Sequence, residues 1–446
     1  MGFDMQLKDS LSGELRPVSP HHVSIYACGI TPYSSAHVGH ARTYVVFDLL
    51  AKVLQAQGHE VSLVRNVTDI DDKIIAAAAK EGVSWQELSQ RYARENRMLM
   101  VKTGLAIPRE PHASLFLEDI FKLTQALLDK GHAYVAGSGD VLYRVASFQG
   151  PLLMPHKEGS LRSEQGNSRV DATGKEDLRD FALWKRADAA EVGFESPWGW
   201  GRPGWHIECS AMISSLFGGS VTIHGGGVDL KFPHHQAEIM QSEPVFGRPL
   251  ADIWMHNGSV LSDGQKMSKS LGNFVTWQAA LDQANGLVPG LGADLLRVSL
   301  LQAHWQKPLD WSDSLLHSTK AELLHLVQGL ESVQGELSYL PPFLAQLSAN
   351  LNTPAALVWL RAQHKAGRYA LVRSALEFLG VDVQGWLAFR EPVLVDNAEL
   401  IAQLQAQRAQ ARQNKDWARS DALREQLREL GAAVQDAPAQ SKLSPT

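Results

Sequence analysis

Residues 22–68 constrain the fold of this chain more than any other stretch. HVSIYACGI, at 22–30, is an apolar run rich in β-branched residues and reads as a buried strand. A turn-rich segment, TPYSSAHVGHA, follows, and RTYVVFDLLAKVLQAQG then shows helical periodicity and stops at a Gly. A second strand, HEVSLVRNVT, and a helix, DDKIIAAAAKEG, come next. Strand, loop, helix and strand at this spacing build a parallel sheet covered by helices. The opening domain is therefore expected to be α/β and of nucleotide-binding type.

The chain is 446 residues long, room for two to four domains at roughly 100–200 residues each. After the opening segment, 1–114, the rhythm breaks. Residues 115–200 hold a helix, short strands near YVAGSGDVLYRV and a polar Gly/Ser/Arg-rich segment at 156–180, and read as an insertion. Residues 201–256 return to short apolar strands and Gly-rich turns, a second half of the same sheet. A lysine-bearing segment, 257–315, leads to amphipathic helices at 316–395 and a small charged helical unit at 396–446. The expected fold is α/β: a Rossmann-like parallel-sheet domain with an insertion, then an α-helical bundle and a C-terminal unit.

With 42 Lys+Arg against 48 Asp+Glu the formal charge is −6, which excludes whole-chain basicity as a route to nucleic acid. A local patch is still open, because steering depends on where charge sits. Two cysteines, Cys28 and Cys209, are too few for a disulfide framework. The first twenty residues lack a basic region followed by an apolar core, and no run approaches the ~20 apolar residues of a membrane span. A cytoplasmic protein with no membrane partner is expected.

Three constellations carry chemistry. His37-Val38-Gly39-His40 lies between a strand end and a helix start, where unpaired amides and positive potential favour phosphate. Lys266-Met267-Ser268-Lys269-Ser270 is preceded by the turn Ser262-Asp263-Gly264; its lysines could neutralise charge on a polyphosphate. Taken singly, each also reads as an ordinary surface loop. Together and in this order they resemble the signatures of class I aminoacyl-tRNA synthetases. The third is Cys28, Cys209, His234 and Glu238, with His234 and Glu238 at helical i,i+4 spacing. Two thiolates, an imidazole and a carboxylate suit tetrahedral zinc. On residue types alone, two inert buried cysteines are the other reading.

YACGITPYSSAHVGHARTYVVFD, RNVTDIDDKI, DFALWK, SPWGWGRPGWHIECSAM, HGGGVDLKFPHHQAEI and KMSKSLGNF resemble cysteinyl-tRNA synthetases, in that family's order, over roughly residues 20–315. The resemblance implies activation of L-cysteine with ATP and Mg²⁺, then transfer to tRNA(Cys). It implies one Zn²⁺ held by Cys28, Cys209, His234 and Glu238, with His235 the neighbouring ambiguity. It places ATP at His37, Gly39, His40, Lys266 and Lys269, of which His37, His40, Lys266 and Lys269 act in catalysis. It places the cysteine substrate at Gly29, Thr68, Trp205, His224 and Asp229. Outside the family, Trp205 reads as a core aromatic and Asp229 as a turn residue.

The cysteine ligase of mycothiol synthesis has nearly the same core and joins cysteine to an amino sugar–inositol. Cys28-Gly29-Ile30-Thr31-Pro32-Tyr33 is close to its form. The C-terminus bears on this choice. Residues 406–431 resemble the tRNA-contacting end of the synthetases, which the ligases generally lack, and carry Arg408, Arg412, Lys415, Arg419 and Arg424. A solvated helical hairpin is the other reading. This end departs from the family in closing Asp436-Ala437-Pro438 without a following Trp. A monomer with a small anticodon-binding unit is expected. One decoy is set aside: Gly199-Trp200-Gly201-Arg202-Pro203-Gly204 matches the dinucleotide fingerprint, but Pro203 opposes its turn-to-helix geometry.

Overall fold

The computed structural model describes residues 4–154, 174–267, 272–334, 340–389, 397–414 and 416–429. A short hairpin, β1 (Gln6–Lys8) and β2 (Leu15–Pro17), leads into β3 (His22–Ile30). Then come α1 (Val38–Ala56), β4 (Glu60–Val67), α2 (Asp72–Glu81), α3 (Trp85–Lys102) and α4 (Leu117–Asp129). Strands β3 and β4 pair in parallel, as the strand–helix–strand spacing predicts. Helix α1 is buried on nearly every side, from Ala41 through Ala51, so its apolar residues form no single stripe.

The chain then leaves the parallel sheet. β5 (Ala133–Val135), β6 (Val141–Tyr143), β7 (Phe181–Arg186) and β8 (Gly201–Pro203) form an antiparallel sheet in that order. Tyr143, Phe181 and Trp184 pack with Ile120, Leu123 and Leu127 of α4 to give it a core. The sequence reading starts the second half of the parallel sheet at residue 201. The structure starts it later, because Gly201–Pro203 pairs with β7.

Helix α5 (Trp205–Phe217), β9 (Val221–Gly227), α6 (His234–Phe246) and β10 (Ala251–Asn257) complete the parallel sheet, in the order β10-β9-β3-β4. Its pairings are all parallel, so the carboxyl ends lie along one edge, where open α/β sheets bind ligands. A small sheet follows. In it β11 (Val260–Ser262) lies between β12 (Gln265–Lys266) and β13 (Leu309–Trp311). Helices α7 (Trp277–Leu287) and α8 (Gly292–Leu300) precede β13, and α9 (Asp313–Val327), α10 (Pro341–Ser348), α11 (Thr353–Lys365) and α12 (Tyr369–Phe378) follow it.

The chain divides into two compact units, Met1–Trp386 and Leu387–Thr446. In the second, α13 (Asn397–Gln413) and α14 (Trp417–Glu429) pack together and bury Ala411, Leu423 and Leu427. Asp416 caps α14 by accepting from the Arg419 amide at 3.2 Å. Among the described residues, no helix is long and apolar enough to cross a membrane.

Candidate metal centre and nucleotide site

Cys28 lies near the carboxyl end of β3, Cys209 on α5, and His234 and Glu238 one turn apart on α6. The fold brings these four buried side chains together, with one donor atom of each within 4.8 Å of the others. Cys28 Sγ is 3.8 Å from Cys209 Sγ and 3.8 Å from Glu238 Oε1; His234 Nε2 is 3.2 Å from the same oxygen. Two Zn–S bonds of about 2.3 Å at a tetrahedral angle set the sulfurs roughly 3.8 Å apart, so this donor set fits that ion. The local backbone explains Cys28's position. The β3–β4 register shifts between Ala27 and Ile30, and a Cβ on Gly29 would fall 1.7 Å from the Asn66 carbonyl oxygen. Only glycine permits that approach.

A second layer of histidines surrounds the cluster. His224 on β9 has Nε2 2.7 Å from Glu238 Oε2 and Nδ1 2.9 Å from the Tyr26 carbonyl. His235 Nε2 is 3.3 Å from Cys28 Sγ, and its Nδ1 is 2.7 Å from His256 Nε2. His206 Nδ1 sits 3.1 Å from His234 Nδ1, and Trp205 stacks on His234 with centroids 4.4 Å apart. Cys28, His224, His235 and Glu238 are also mutually close, but only the first set contains both sulfurs. Burial pulls the imidazoles of His234, His235 and His256 well below their ordinary pKa and His206 down to about 3. They are therefore neutral, as metal-binding imidazoles must be. Burial, then Cys209 and Glu238, pushes the Cys28 thiol well up.

The first signature lies on a helix rather than before one. His37 is the N-cap of α1, and His40 stands in its first turn. His37 Nδ1 accepts from the Gly39 amide at 3.0 Å, and His40 Nδ1 accepts from the His37 amide at 3.2 Å. An imidazole that accepts through Nδ1 carries its proton on Nε2, so the backbone sets both rings as Nε2–H donors. Burial, then His37, lowers the His40 pKa well below its ordinary value, which keeps that ring neutral. The second signature is tied to the first through the backbone that follows it. Val38 N donates to Val275 O at 3.0 Å, Trp277 N donates to Ala36 O at 2.8 Å, and Phe274 packs on His37. Lys266 is exposed at the end of β12, and Asn273 Nδ2 donates to its carbonyl at 3.3 Å. Lys269 lies outside the described residues.

The remaining residues are placed unevenly. Thr68, just past β4, is buried and accepts from Asn66 Nδ2 at 3.0 Å, while Asn66 Oδ1 accepts from the Gly29 amide at 2.9 Å. Asp229 is exposed in the single turn Val228–Lys231 after β9. In the C-terminal unit Arg419 is exposed, Arg424 pairs with Asp421 at 3.3 Å, and Arg412 is half-buried. Arg408 is buried, at 8% exposure, unlike the exposed Arg419. Lys415 lies outside the described residues. Sequence reasoning missed Asn66, His206, His256 and Phe274. Each acts through a partner distant in sequence, which leaves no local pattern to find.

The class I (C) tRNA-synthetase catalytic domain model matches residues 14–321, and the cysteinyl-tRNA ligase anticodon-binding domain model matches residues 398–441. The chain is 39% identical over 446 aligned residues to the cysteine–tRNA ligase of Chromohalobacter salexigens, covering 94% of each chain. It belongs to the cysteinyl-tRNA synthetase family. The cysteine–tRNA ligase of Legionella pneumophila is 38% identical, covering 97% of each chain. Among solved structures, Mycobacterium tuberculosis methionyl-tRNA synthetase in complex with methionyl-adenylate is alike at TM-score 0.57 and 15% identity, covering 82% of this chain and 90% of that one. That likeness is one of fold. For this cysteinyl-tRNA synthetase family member, the match at 398–441 disfavours the amino-sugar ligase, whose family generally lacks this end.

Proposed function

We propose a division of labour in which the buried cluster selects cysteine, the two signatures bind ATP, and the C-terminal unit meets tRNA(Cys). The activity is that of an ATP-dependent cysteine–tRNA ligase. In it the cysteine carboxylate attacks the α-phosphate of ATP in line, releasing pyrophosphate. The terminal adenosine hydroxyl of the tRNA then attacks the adenylate and AMP departs.

Cys28, Cys209, His234 and Glu238 are the residues that would hold zinc. What the ion would supply when bound is room for one donor beyond these four, with a preference for a cysteine thiolate over a serine hydroxyl. A hydrophobic pocket alone separates such near-isosteres by only about 1–3 kcal/mol. Trp205 and His224, in contact with His234 and Glu238, would line this pocket with Gly29, Thr68 and Asp229. His37 and His40 would donate Nε2–H bonds to phosphate oxygens at the N-terminus of α1, with Gly39 allowing close approach. Lys266 and Lys269, with the Mg²⁺ that accompanies ATP, would balance charge on the departing pyrophosphate. No side chain serves as nucleophile; positioning and electrostatics lower the barrier. Arg412, Arg419 and Arg424 would contact tRNA. We read the protein as a cytoplasmic monomer.

One observation carries this reading. Four metal-type donors, as far apart as 210 positions between Cys28 and Glu238, converge inside an apolar core at the carboxyl edge of the sheet. The test offers purified protein ATP and cysteine with either tRNA or glucosaminyl-inositol as acceptor. Acylation of the tRNA is expected, and acylation of the sugar alone would overturn the assignment.

A further inference from the structure

We propose that His21, His22 and Glu60 form a second, surface metal site for a first-row divalent ion of the copper–zinc end of the series. The site lies at the amino-terminal edge of the parallel sheet. His22 opens β3 and Glu60 opens β4, and the parallel register sets the two directly opposite one another. Neighbouring strands lie about 4.8 Å apart, so the backbone itself pairs these side chains. His22 Nδ1 is 2.7 Å from Glu60 Oε2.

His21 joins them because it stands just outside the strand. Within a strand, consecutive side chains point to opposite faces. His21 precedes the regular pleat, and its ring lies 4.9 Å from that of His22. Its carbonyl accepts from the Glu60 amide at 2.8 Å, which holds it against β4. His59 adds a second tie. Its Nδ1 lies 2.8 Å from the Pro20 carbonyl, an acceptor, so that nitrogen is the protonated one. One donor atom from each of His21, His22 and Glu60 lies within 4.8 Å of the other two, and all three side chains are exposed.

This cluster is separate from the buried one. Cys28 lies six residues along β3 from His22, about 20 Å at roughly 3.3 Å per residue. Its chemistry also differs. Two imidazoles and one carboxylate suit copper(II), nickel(II) and zinc(II), whereas Mg²⁺ and Ca²⁺ ask for a shell of oxygens. Three exposed ligands leave the remaining positions to water. Binding there clips β3 to β4, and an ion that binds the folded chain alone raises its apparent stability by mass action.

The experiment uses the full-length chain without an affinity tag and zinc alone as probe, with bound metal measured by equilibrium dialysis across free zinc concentrations. The wild-type chain is expected to take up a second, weaker equivalent after the first. In the His21→Ala/His22→Ala chain that second equivalent should weaken at least tenfold. The more conservative His22→Gln should weaken it as well, with adenylate formation unchanged in both. In Cys209→Ser the tight equivalent should be lost and the weak one kept, which separates this site from the buried cluster. Added zinc should raise the melting temperature of the wild-type chain further than that of the double variant. A wild-type chain that binds one equivalent only, or a double variant that keeps the second at full affinity, overturns the proposal.

Discussion

The ring of Phe274 meets that of His37 edge to face, with centroids 5.2 Å apart and planes at 82°. The residue just past the lysine signature therefore rests on the imidazole that caps α1, and the two signatures share an aromatic contact. Pairs of this kind contribute about 0.5–1.5 kcal/mol beyond their buried area. Phe274→Ala is expected to slow cysteine-dependent ATP–pyrophosphate exchange about 3–10-fold, chiefly through a higher KM for ATP. Zinc content and the KM for cysteine should hold. An unchanged KM for ATP would show that the contact does not position His37.

His224 Nε2 approaches Glu238 Oε2 at 2.7 Å, the carboxylate oxygen other than the one that faces Cys28. Partners of this kind orient a ligand, and their loss commonly weakens metal binding about 10–100-fold. His224→Ala should lower zinc affinity by that factor in a chelator competition while the far-ultraviolet spectrum stays native. Affinity equal to wild type would place His224 outside the metal's influence.

Asp72 receives Lys185 Nζ and Arg202 Nε, each at 2.7 Å, and so fastens α2 to the antiparallel sheet. Burial works against its ionisation, yet the two cations outweigh burial and hold the carboxyl below its ordinary 3.8. A depressed folded-state pKa gives stabilisation that is complete above the unfolded value near 3.9 and is lost as pH falls through the folded one. Asp72→Asn should therefore cost about 2 kcal/mol at pH 7, since the site is partly solvated, and much less near pH 2. Urea unfolding at the two pH values measures the difference. An equal cost at both would mean that shape, not charge, makes the contribution.

Arg419 and Arg408 should behave oppositely. Arg419 is exposed, so Arg419→Ala should raise the KM for tRNA and reduce the log–log salt slope by about 0.7–0.9, leaving pyrophosphate exchange intact. Arg408 is buried, so Arg408→Ala should lower the thermal stability of the chain. A salt slope that Arg419→Ala leaves untouched would remove this helix from the tRNA contact.

Sequence alone carried the parallel sheet, because two short apolar runs flank a segment of 19 helical residues, the length of a crossover, even though α1 shows no single apolar stripe. It also carried the cluster of Cys28, Cys209, His234 and Glu238, but through family resemblance, since no spacing rule links residues so far apart. The start of α1 was misjudged for a physical reason. Ser, Thr, Asp and Asn are the usual N-caps, whereas here a histidine caps the helix and His40 completes the box. Gly201–Pro203 read as the return to the main sheet, because three residues carry too little pattern to say which sheet they join. Arg408 reads as surface charge, since one helix seen alone gives no sign of which face is covered.

Cys28 and Cys209 are 181 positions apart, and the whole antiparallel sheet is made between them. The four-residue cluster cannot assemble during synthesis until residue 238 has left the ribosome, after every strand of that intervening sheet has been made. A chain whose two halves fail to meet can keep most of its helices and still lack the cluster. Metal content then counts the molecules in which the split domain has joined, a question that a measure of helix content would miss.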